Sequence, residues 1–187
     1  MKAKLYLLSL VALTGCASGP YRDTQIGEFK GDLEVRWVKN DYFVFSPSKD
    51  KPFKFIRPNG EIIEPGKMYT DGGSIPRMLW GVKGLSPWGY APAYIIHDWL
   101  FDEKHCNSGA SIKYTFDDSA VILAEGLKSV MERDDKVKNH FVFDAIVSAV
   151  KSPIAQKLWE KGKCNRPDAD ALIESSDAGE FITTLHF

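Results

Sequence analysis

Seven side chains stand where chemistry is possible. Asp71, Ser74 and Arg77 lie in T-D-G-G-S-I-P-R, His97 and Asp98 adjoin in A-Y-I-I-H-D-W-L-F, and Asp117 and Asp118 open F-D-D-S-A-V. On a helix, His97 shares a face with Ala93, Tyr94, Leu100 and Phe101, the face such a helix buries, and Asp98 lies about 100° further round. A charge taken out of water costs several kcal/mol unless something pairs with it. Two mechanisms would use the cluster. In one, His97 with Asp71, Asp98, Asp117 or Asp118 binds a divalent metal, and one imidazole plus carboxylates suits Zn, Mn or Ca according to the number of oxygens. In the other, Ser74 is a nucleophile and His97 its base, oriented by a carboxylate, with Arg77 in the same catalytic set.

Each residue also has a structural role open to it. Ser74 suits a helix N-cap, and Asp71 before Gly72-Gly73 suits a turn. Asp117 or Asp118 complements a helix N-terminus, and Arg77 can pair with a buried carboxylate. Together they form either a functional site or a satisfied polar network locking helix against loop. Geometry separates the two: an enzyme needs His97 to reach a cleft, whereas a scaffold needs it sealed and fully hydrogen-bonded. His105, beside Cys106, lacks paired ligand spacing, while His140 starts a helix and His186 sits near the end of the chain; none of the three joins the set.

The elements that must position these groups are legible in outline. Residues 33–38, L-E-V-R-W-V, and 53–56, F-K-F-I, alternate as strands do, with D-Y-F-V-F between them and K-N-D as a turn. P-N-G before E-I-I is a further turn. A small antiparallel sheet or meander is the simplest assembly. After Pro65-Gly66 the pattern becomes helical. Pro92 opens the His-Asp helix, and helices follow over about 116–132, 139–150 and from Pro153 to near Gly162. Strands first and helices second predict an α+β fold. The expected division is a leader over 1–15, a tether over 16–30, one α+β domain over 31–164 and an acidic tail over 165–187.

The N-terminus predicts export. Lys2 and Lys4 precede a short apolar run, then L-T-G-C ends at Cys16, a pattern too short to span a membrane permanently. L-T-G-C resembles the lipobox of bacterial lipoproteins, which implies that Cys16 is lipidated and becomes the mature N-terminus. Ala17 after Cys16 resembles the outer-membrane sorting pattern, with the domain facing the periplasm. Two cysteines then remain, Cys106 and Cys164, an even pair suited to a disulfide in an oxidising compartment. A formal net charge of −1 leaves no electrostatic footprint for nucleic acid.

T-D-G-G-S-I-P-R at 70–77, A-Y-I-I-H-D-W-L at 93–100, D-D-S-A-V at 117–121 and A-V-K-S-P-I-A-Q-K-L-W at 149–159 together resemble a family of small phage and bacterial proteins of unknown function. The resemblance spans roughly residues 32–160. That family carries a basic residue four or five positions before its helical aspartate; Lys113 matches it loosely, and either Asp117 or Asp118 is the equivalent. The H-D pair on a helix is also similar to that of secreted phospholipases A2, although the flanking cysteines of that family are absent. Two functions follow as expectations. The first is a lipid-anchored hydrolase acting on envelope lipid or peptidoglycan. The second is a non-enzymatic, phage-type module that binds an outer-membrane protein or excludes superinfection, with Trp80, Trp88 and Tyr90 as interface anchors.

Overall fold

A computed structural model describes residues 18–38, 42–70, 89–106, 113–164 and 181–187. The order of elements is α1 (Gly19–Asp23), β1 (Glu28–Lys30), β2 (Asp32–Val38), β3 (Tyr42–Pro47), β4 (Lys54–Ile56), β5 (Ile62–Ile63), β6 (Met68–Thr70), α2 (Ala91–Cys106), α3 (Phe116–Arg133), α4 (His140–Val150), α5 (Pro153–Lys161) and β7 (Phe181–His186). The protein is α+β, with antiparallel sheets ahead of a helical half. The strands form two sheets rather than one meander: β1-β4-β5, and β6-β3-β2-β7. In the first, Phe29 pairs with Phe55 and Phe55 with Ile63. These three stack as one buried column against the helices. In the second, Leu33 and Val35 alternate inward, as the period of two requires. Between β1 and β2, Gly31 turns the chain at φ 94°, a conformation a β-carbon would strain.

Local chemistry sets the helix starts. Thr115 and Asp118 form a reciprocal capping box at α3, and Asn139 caps α4 through the Val142 amide. Ser152 caps α5 with Pro153 in its first turn. In α2, seven consecutive residues from Ala91 to His97 are buried, so its N-terminal half is enclosed on every side. Packing of α2 on α3 is close because Gly126 has no side chain. A β-carbon there would meet the Ala93 β-carbon at 3.1 Å. No helix among the described residues is long and apolar enough to cross a membrane.

Two expected boundaries are corrected. The segment read as a tether is folded from Ser18 onward: Tyr21 and Phe29 lie in the core, and the Tyr21 ring packs 4.9 Å from Phe143. The segment read as a tail ends in a strand, since β7 pairs antiparallel with β2 and Phe187 packs 4.9 Å from Phe53. The same core therefore reaches beyond residues 31–164 at both ends. Cys16 and the leader lie outside the described residues, as does the K-N-D turn at 39–41.

Cys106 and Cys164 are disulfide-bonded, closing a loop of 58 residues from the last turn of α2 to just beyond α5. His105 reinforces the junction, its Nε2 lying 3.1 Å from the Leu158 carbonyl and 3.2 Å from that of Trp159. In the chain-entropy account such a loop contributes about 4 kcal/mol. Reduction should lower the unfolding free energy by about that amount, read by denaturant melts with and without reductant, and both thiols should label only after reduction. An unchanged midpoint would show that the bridge contributes nothing.

Candidate functional site

The centre of α2 carries a buried imidazole with no hydrogen-bond partner among the described residues. Four polar or charged residues are fully buried among the described ones: His97, Ser119, Glu125 and Ser129. Ser119 donates to the Phe116 carbonyl at 2.7 Å, and Ser129 donates to the Glu125 carbonyl at 2.6 Å. Glu125 accepts two bonds from Arg57. His97 differs: at 4% exposed it is sealed rather than open to a cleft, yet neither Nδ1 nor Nε2 has a hydrogen-bond partner among the described residues, so it meets one half of each reading. The Asp98 carboxylate lies 3.9 Å from Nδ1, too far for a hydrogen bond but close enough for its charge to be felt. Phe101, one turn on, places its ring 4.9 Å from the imidazole.

Tyr94 lies three residues before His97 on the same helix face. Its hydroxyl is buried and also without a partner. Burial first, then the neighbouring Tyr90 and Asp98, push the Tyr94 hydroxyl above its ordinary pKa. One face of α2 thus presents a phenol and an imidazole with unmade hydrogen bonds. An unmade buried bond costs about 1–3 kcal/mol, so this pair lowers stability where buried Ser119, Glu125 and Ser129 do not.

The remaining residues of the expected cluster fall into two groups. Asp71, Ser74 and Arg77 lie outside the described residues, as do Trp80 and Trp88 of the aromatic loop. Asp117 and Asp118 stand at the start of α3, where Asp117 is exposed. The Asp118 carboxylate accepts from the Thr115 hydroxyl at 2.7 Å and the Thr115 amide at 2.8 Å. Those bonds, the side-chain one foremost, hold its carboxyl below the ordinary range. Among the described residues no hydrogen bond or ion pair links either aspartate to His97, and no group of three or more His, Cys, Asp or Glu is placed to hold a metal ion. Asp118 acts here as a helix cap. Tyr90, expected as an interface anchor, is instead a core residue, 1% exposed and donating to the Val137 carbonyl at 2.7 Å.

A second polar cluster escaped the sequence reading. Arg57 meets Glu125 of α3 through two bonds of 2.8 and 3.0 Å, and it also donates to Glu61 at 2.7 Å. Glu61 accepts from the Tyr114 hydroxyl at 2.9 Å and pairs with Lys113. Burial would raise the Glu61 carboxyl, but the bonds from Lys113, Arg57 and Tyr114 outweigh it and hold the pKa at about 2. The network ties the β4–β5 turn to α3, which packs on α2. Its signal in the sequence was Glu125, a lone charge inside L-A-E-G-L on the apolar stripe of α3.

No curated protein and no solved structure matches the chain. Residues 50–133, which run from the approach to β4 to the end of α3 and so contain both His97–Asp98 and the Arg57–Glu61–Glu125 network, match the model of a family described as a protein of unknown function (DUF1353).

Proposed function

We propose that this protein is a lipid-anchored component of the bacterial outer membrane, facing the periplasm, with a hydrolase-type site at His97 and Asp98 for envelope lipid or peptidoglycan. The observation that carries the site is the buried His97 imidazole with both nitrogens unbonded, one helical turn from the equally unbonded Tyr94 hydroxyl, whereas buried Ser119, Glu125 and Ser129 are all satisfied. A locking network would have used those nitrogens; a group that handles a substrate proton keeps them for it. In this reading His97 removes the proton from the attacking hydroxyl, of water or of Ser74. The Asp98 carboxylate, 3.9 Å from Nδ1, lies beside the ring that takes the proton. Export is supported by the L-T-G-C leader pattern and by the Cys106–Cys164 bridge, which suits an oxidising compartment.

The non-enzymatic reading as an envelope-binding module loses one of its anchors, since Tyr90 is enclosed in the core. Two measurements test the proposal. Mass spectrometry of membrane fractions should find Cys16 acylated in the wild type, and the Cys16→Ser precursor should remain unprocessed. An unmodified Cys16 in mature protein would end the anchor. Purified protein, analysed for bound metal, should hydrolyse a member of a phospholipid and peptidoglycan panel. Inactivity across that panel, with or without Zn, Mn or Ca, would end the hydrolase.

A further inference from the structure

We infer that the outward surface of α4 and α5 is a seat for an anionic phospholipid surface, which orients the domain on the membrane. The inference rests on lipidation of Cys16 for its geometry. The first described residue, Ser18, donates from its hydroxyl to Asp144 of α4 at 2.8 Å. Cys16 is two residues upstream, so its α-carbon lies within about 7 Å of that of Ser18. A lipid on Cys16 therefore brings the exposed side of α4 to the bilayer.

The side chains there are those a lipid surface favours. Phe141, one turn from Asp144 on the same face, is 80% exposed. On α5, Ile154 is 75% and Leu158 58% exposed. With Lys157 and Lys161 these two occupy positions i, i+3, i+4 and i+7, a single stripe opposite the buried Trp159. Residues 151–163 carry four exposed lysines and one acid, Glu160, in a chain whose overall charge is −1. Apolar side chains rimmed by lysines match an interfacial helix, which buries its apolar stripe among headgroups while its cations meet lipid phosphates.

The test uses the full chain in living cells, with the photo-crosslinking residue p-benzoylphenylalanine at position 141, 154 or 158. Position 62 serves as control, because Ile62 is comparably exposed, at 52%, but lies on the small sheet. Irradiation should give phospholipid adducts from 141, 154 and 158 and few from 62. Lys157→Ala and Lys161→Ala should each reduce the adduct at 158 about fivefold, the weight of one cation at an anionic surface. Adducts to a second copy or to another protein, equal lipid adducts from position 62, or none from 158 would overturn the inference. The mass of the N-terminal peptide in the same samples reports lipidation separately. An unmodified Cys16 with lipid adducts at 158 would remove the anchor and leave the seat standing.

Discussion

His97→Leu should abolish hydrolysis while raising the melting temperature. Leucine has nearly the volume of the imidazole and no polar atoms, so it fills the space without leaving bonds unmade. Relieving the unpaired nitrogens should contribute about 1–3 kcal/mol, and each kcal/mol shifts the midpoint of a chain this size by about 2–4 °C. Loss of a general base should cost a factor of roughly 10²–10⁴ in turnover. A residue held against its own stability cost is one retained for what it does. His97→Ala is a poorer probe, because the cavity it opens destabilises by itself. Calorimetry and turnover on the same preparations decide the matter. A His97→Leu variant that melts well below the wild type would show that the imidazole supports the fold, and the site reading would fail.

The largest stability loss is expected at Arg57. Arg57→Met removes the guanidinium that gives Glu125, 8% exposed, two bonds, and takes one partner from Glu61. Breaking a buried pair on one side costs about 3–5 kcal/mol because the other charge is left stranded. The double variant Arg57→Met with Glu125→Leu should recover most of that loss, since apolar replacements of similar volume are often neutral. The wild type should also weaken in acid. Glu61 has a folded pKa of about 2, below its ordinary 4.5. Its contribution is therefore complete above about 4.5 and disappears as the pH falls towards 2. Urea titrations across that range would show it. An Arg57→Met midpoint close to that of the wild type would mean that the network is solvated and carries little.

Local signals were legible wherever the interaction that decides them is local. Ser152-Pro153, Asn139 and Thr115 with Asp118 mark their helix starts because a cap needs only a side chain and an amide three residues on. The apolar runs of 33–38 and 53–56 announced strands for the same reason: their period is contained within a few residues. The inward face of the His97 helix followed from spacing alone, and His97 is indeed buried.

What the sequence left undecided depends on partners far along the chain. F-I-T-T-L-H at 181–186 becomes a strand only because β2 offers it a free edge some 150 residues earlier, with Asp32 opposite His186. G-P-Y-R-D and E-F-K have no period of their own, and are ordered by Phe143 and Phe55 across the fold. Arg57 meets Glu125 at a separation of 68 residues, which no window of sequence contains. The sequence by itself determined that His97 would turn inward, through the helical spacing of its neighbours. Whether its two nitrogens would find partners was settled only by tertiary packing, because hydrogen bonds to a core side chain come from whichever elements are folded against it, and the described neighbours of His97 supply a phenyl ring and no bond.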